Sequence, residues 1–115
     1  MPANYDVVQD TFVAIRGDHG PISFDLETPG IDVAVRAVLS FMLETMDGIR
    51  FEMFVVSPKF KISLGEVSAS SGNAHVRQEV IDVGILEPTG NQLRIDVRKG
   101  AGKISDIVLW YQVKA

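Results

Sequence analysis

Between residues 31 and 44 every odd position is apolar: Ile31, Val33, Val35, Ala37, Leu39, Phe41 and Leu43. The even positions mix Asp32, Arg36, Ser40 and Glu44 with Ala34, Val38 and Met42. A strand turns successive side chains to opposite faces, so this spacing lays one apolar face against a core and leaves a mixed face outside. A helix would scatter the odd set around its axis. The good helix formers in the stretch do not outweigh an unbroken match to a period of two. The spacing predicts a strand over 31–44, about 40 Å long, as the spine of the fold.

The flanking runs keep that period. Residues 6–16 alternate imperfectly, with Val7, Val13 and Ile15 on one parity and Val8, Phe12 and Ala14 on the other, as in an edge strand or one broken by a bulge. Ile22, Phe24 and Leu26 alternate cleanly. After the spine, Asp47 and Gly48 predict a hairpin turn, and Phe51, Met53 and Val55 the inward set of the returning strand. Phe60, Ile62 and Leu64 form the next strand. Residues 68–73 read as a polar loop and 76–83 as the least clear strand. Leu93, Ile95 and Val97 lead to a second hairpin turn at Gly100, Ala101 and Gly102, and Ile107, Leu109, Tyr111 and Val113 close the chain. All five prolines fall outside these runs. The pattern predicts about eight strands and no helix in a single all-β domain over 1–115. Its architecture is expected to be an antiparallel two-sheet β-sandwich of jelly-roll type, with an immunoglobulin-like sandwich as the alternative.

Composition narrows the class. A chain of 115 residues can bury a core without staples, and it contains no cysteine. No apolar run is long enough to cross a membrane as a helix, and the first thirty residues lack the h-region of an ordinary signal peptide. Membrane insertion is therefore not expected, and export would need another route. The net charge of −4 disfavours nucleic acid as a partner. Charge is uneven: residues 1–58 hold nine acids against three arginines, whereas 59–115 hold six acids against eight bases.

Enzyme motifs are weak. Gly100, Gly102 and Lys103 hint at a phosphate loop, but Val97 and Ile104 stand where that loop needs glycine and Ser or Thr. His19 and His75 alone do not make a zinc site, and no nucleophile elbow accompanies His19 and Asp18. No metal, cofactor or catalytic residue is expected. Trp110 is the informative side chain. The odd parity of the last strand faces the core, so Trp110 faces out, where it either stacks on a sugar ring, fills a subunit interface or lies under a loop. Arg94, Arg98, Lys99 and Lys103 gather around the second predicted turn, with Lys59, Lys61, His75 and Arg77 earlier. Such cations either hold carboxylate or sulfate groups of a ligand or balance the acids as a solvated surface. The candidate ligand-binding set is Trp110, Arg94, Arg98, Lys99, Lys103, His75 and Arg77.

The strings at 36–51 (RAVLSFMLETMDGIRF), 75–80 (HVRQEV), 88–93 (PTGNQL) and 105–113 (SDIVLWYQV), with 5–15 (YDVVQDTFVAI), resemble a small family of bacterial proteins. That family includes the Photorhabdus adhesion modification protein and the small insecticidal crystal-associated proteins. More distantly, Asn91 to Leu93, Gly100, Gly102 and the last strand are similar to the closing strands of jelly-roll carbohydrate-binding modules. The resemblance implies a lectin-like, non-enzymatic protein, secreted or associated with the cell surface, that binds extracellular polysaccharide and alters attachment. It carries over no site residue. The expected partner is a polysaccharide, acidic if the cations make the contact. The alternative is a structural protein that assembles with copies of itself.

Overall fold

The computed structural model describes residues 3–18, 20–70 and 75–114, leaving aside the side chains of 46 and 47. His19 and part of the expected 68–73 loop lie outside the described residues. Among the described residues there are seven strands and no helix, in the order β1 (Ala3–Gln9), β2 (Val13–Arg16), β3 (Ile22–Leu26), β4 (Ala37–Val56), β5 (Lys61–Ala69), β6 (His75–Ile81) and β7 (Asn91–Gln112). Long strands β4 and β7 pair antiparallel from Val38 opposite Trp110 to Val56 opposite Gln92. The free side of β7 receives β3, β2 and β1 in turn. That of β4 receives β6 and then β5.

This ribbon folds back on itself. Twenty-two extended residues would run about 70 Å, yet the longest dimension of the protein is 45 Å. Phe41 and Phe51 lie ten residues apart on β4, about 33 Å in a straight strand, yet their ring centroids are 6.5 Å apart. The two halves therefore face each other as layers. One layer runs β1, β7, β4, β6; the other runs β3, β7, β4, β5. Leu39, Phe41, Leu43, Phe51, Met53 and Val55 form the β4 side of the core between them. The two layers are tied together on one side where Asp6 accepts the Glu27 backbone N–H at 3.0 Å, and on the other where Arg77 donates to the Ser68 carbonyl at 3.1 Å. The all-β, two-layer expectation holds.

Glycine makes the fold-back possible. Gly48 and Gly100 both have positive φ (79° and 80°), and the ladder slips its register between Thr45 and Ile49, an interval that contains Gly48, and again between Arg50 and Phe51. A Cβ on Gly100 would overlap the Gly48 carbonyl oxygen. The two expected hairpin turns, at Asp47 and Gly48 and at 100–102, are thus bulged bends inside continuous strands. Two pairs of expected strands merge, and the 6–16 run divides into β1 and β2, which leaves seven strands. The spine also begins later than its pattern. Ile31 makes only a bridge to Val113, and Asp32 accepts the Ala34 N–H at 3.1 Å on its side chain and the Val35 N–H at 3.2 Å on its carbonyl. That local capture turns the chain before Ala37. From Ala37 onward the odd parity is buried as expected.

Candidate functional site

The outer face of the first layer is apolar. Register places Tyr5, Trp110, Val38 and Val80 in one row across β1, β7, β4 and β6, and Val7, Val108, Ser40 and Gln78 in the next. The Tyr5 and Trp110 rings pack 5.4 Å apart at 40°, yet Tyr5 remains 57% and Trp110 48% exposed. Trp110 Nε1 donates to Ser40 Oγ at 3.1 Å, which satisfies its polar atom and fixes the ring across β4. Val7, Val76 and Val80 are also more than half exposed. Parity alone foretold the outward Trp110. Tyr5 was missed because it stands just before the 6–16 run, which was itself too irregular to orient.

The outer face of the second layer is charged and internally paired. Its rows are Ser23, Arg94, Phe54 and Ser63, then Asp96, Glu52 and Glu66. Arg94 pairs with Asp96 at 2.9 Å, Arg98 with Glu52 at 2.8 Å and Arg50 with Glu66 at 3.3 Å. Ser63 Oγ donates to the other Glu52 oxygen at 2.7 Å. That hydrogen bond, followed by the one from Arg98, holds the Glu52 carboxyl below its ordinary pKa, and Glu52 in turn raises that of Arg98. Lys61 Nζ sits 4.7 Å from the Phe54 ring centre.

The candidate set does not converge. Arg94 and Arg98 lie on the second layer's outer face, turned away from Trp110 by the fold-back. Lys99 lies at the bend, where it lines a shallow depression of about 280 Å³ with Gly48, Ile49 and Arg50. Lys103 is on Trp110's side but opposite Glu44, roughly 20 Å along the strand. His75 and Arg77 stand opposite Leu43 and Phe41, hence on the core-side parity of an edge strand rather than on the apolar face. These residues seemed adjacent because a hairpin at Gly100 would have brought Arg98 back towards the last strand; the straight passage of β7 through the bend separates them. Among the described residues no three His, Cys, Asp or Glu side chains gather as a metal site. The arrangement offers an apolar, aromatic-centred platform with neutral polar groups beside it.

No family model and no curated protein matches the chain. Solved structures with a similar fold do. A variant of a family 29 carbohydrate-binding module aligns with TM-score 0.68 at 13% identity, covering 95% of this chain and 92% of that one. The family 29 module from Piromyces equi aligns with TM-score 0.58 at 11% identity, covering 97% and 93%. A structure of infectious bursal disease virus aligns with TM-score 0.55 at 10% identity, covering 99% of this chain and 32% of that one. At these identities the likeness is one of fold: a β-sandwich of the jelly-roll kind.

Proposed function

We propose that the protein is a non-enzymatic polysaccharide binder, and that its contact surface is the outer face of the first layer centred on Trp110 and Tyr5. The observation that carries this reading is the exposed, mutually packed aromatic pair on an open sheet, flanked by Ser40 and Gln78. Sugar rings present an apolar face that an aromatic platform covers, while neighbouring hydroxyls and amides hold the ring's hydroxyl groups. Similarity of fold to carbohydrate-binding modules supports the reading. An extracellular setting and an effect on attachment belong to the same proposal. The two rows around Trp110 hold no cation, which favours a neutral ligand on this face over an acidic one.

Affinity electrophoresis through gels containing neutral and acidic polysaccharides tests the proposal. At least one polysaccharide should retard the protein, and Trp110→Ala should relieve that retardation while circular dichroism stays unchanged. A folded Trp110→Ala variant that is retarded as strongly as the parent would remove the site from this face.

A further inference from the structure

Strand β6 is an edge with no bulge, proline, lysine or short length to blunt it, and its charges, Arg77 and Glu79, stand on the core-side parity. Exposed edges present unpaired N–H and C=O groups, and proteins blunt them with bulges, prolines, lysines or short length. The other flanking strands follow that rule. β1 slips its register between Val7 and Gln9, β5 has a slip opposite Met53 and Phe54 and begins at Lys61, and β2 and β3 have four and five residues. β6 runs seven residues in unbroken register against β4, with no glycine, proline or lysine.

Its sequence is also complementary to itself. Residues 76–80 read Val, Arg, Gln, Glu, Val. An antiparallel copy related by a two-fold axis at Gln78 sets Val76 opposite the partner's Val80, Arg77 opposite the partner's Glu79, and Gln78 opposite itself. Paired residues share parity in this register, so it works whichever parity carries the outward-pointing backbone groups. Val76 and Val80, 66% and 58% exposed, would cover each other on the outer face. Arg77 and Glu79 would pair on the opposite side. Arg77 uses one bond to the Ser68 carbonyl and keeps other donors free, and Glu79 enters no ion pair among the described residues.

We propose that β6 is a homodimerisation edge, at which two copies of this chain join their first layers into one continuous eight-stranded sheet. The union is isologous and closed, so it yields a discrete dimer rather than a filament. It would also align the two Trp110 faces side by side, doubling the apolar platform.

Sedimentation equilibrium of the unliganded protein from 1 to about 100 μM tests this, independently of any sugar. A monomer–dimer equilibrium is expected for the parent. Glu79→Arg places like charges opposite each other twice per dimer and should raise the dissociation constant roughly tenfold or more. Combining it with Arg77→Glu restores complementarity and should return the constant to near the parental value. Such rescue is not expected of a merely structural role. The chain has no cysteine, so Gln78→Cys gives a second readout. Cα atoms facing each other across an antiparallel ladder lie about 4.5–5.5 Å apart, within the roughly 4.4–6.8 Å that a disulfide spans. Air oxidation should cross-link Gln78→Cys much faster than Gln92→Cys, which is exposed on β7. A parent monomeric throughout, failure of the double variant to rescue, or equal cross-linking of the two cysteine variants would overturn the proposal.

Discussion

The two outer faces of the sandwich are built from the same pair of strands and differ in kind. Before the bend β4 turns Val38, Ser40 and Met42 outward; after it, Arg50, Glu52 and Phe54. β7 likewise shows Val108 and Trp110 on one side of the molecule and Arg94 and Asp96 on the other. Both halves bury comparable inward sets, Leu39, Phe41 and Leu43 against Phe51, Met53 and Val55, so folding does not demand the contrast. The charged face behaves as a solvated surface whose ions satisfy one another, and exposed pairs of that sort contribute little stability. An open apolar face is different. It gains nothing for the isolated fold and raises the risk of association, so a contact is the reason to keep it.

The largest disturbance is expected at the parity on which both faces depend. Leu39 is fully buried and Ser40 is its neighbour on the outer side. Leu39→Asp strands a charge in the core and should cost about 4 kcal/mol or more, whereas Ser40→Asp should stay below about 1 kcal/mol. Urea denaturation gives both numbers, and comparable losses would mean that the faces are misassigned. Next comes the bend. Gly100→Ala combines an unfavourable positive φ with overlap on the Gly48 carbonyl, so a loss of about 3 kcal/mol is expected. Gly65→Ala meets positive φ alone, with open space around it, and should lose about 1 kcal/mol. Similar losses at the two glycines would mean that close approach at the bend does not hold the faces apart.

What the sequence made legible follows from this geometry. Alternation located nearly every strand and the outward Trp110, because a period of two is a local signal. It misread Asp47 and Gly48 and residues 100–102, since a glycine with positive φ serves a hairpin turn and a bulged bend equally well. The difference is made by a partner strand fifty residues away that bends at the same level. Asp106 shows the same limit. Its φ of 49° falls where the ladder slips once more, between Ser40 and Met42, and this bulge restores the odd inward parity of Ile107, Leu109 and Tyr111 after Ile104 is buried on the even one. The candidate site was less legible than the fold. Sequence proximity joined Arg98 and Lys99 to Trp110, whereas Trp110's true neighbour, Tyr5, is brought by the first strand.

Binding sharpens the contrast further. With a polysaccharide that retards the protein, Trp110→Ala should weaken affinity on the order of tenfold. Phe54→Ala, an aromatic on the charged face, should leave it unchanged. Arg98→Ala combined with Lys99→Ala should also leave it unchanged. Raising salt from 0.1 to 1 M shortens the Debye length from about 10 to 3 Å, and parent affinity should stay nearly flat over that range. Surface plasmon resonance on immobilised polysaccharide reads all four, and a steep salt dependence lost in the double variant would move the site to the cations.

The smallest effect expected is a difference in acid response between the faces. Glu52 accepts from Ser63 and Arg98, and its carboxyl is held below the ordinary value of 4.5. The unfolded chain therefore takes up this proton at higher pH than the folded one. The Glu52 contribution is fully present above about pH 4.5 and is lost as pH falls through the lower, folded pKa. Asp82, lowered by its bond from the Val83 N–H and then by Arg36, adds a loss in the acid range on its own account, so the parent profile alone does not isolate Glu52. The difference between parent and Glu52→Gln does. Measured by urea denaturation, that difference should be constant near neutral pH and shrink below pH 4.5. Sugar affinity over the same range, as long as the protein stays folded, should not follow it, because the rows across Tyr5, Trp110, Val38 and Val80 and across Val7, Val108, Ser40 and Gln78 hold no carboxylate. Affinity that declined in step with the Glu52 difference would tie the ligand to the charged face and reverse the assignment of the two surfaces.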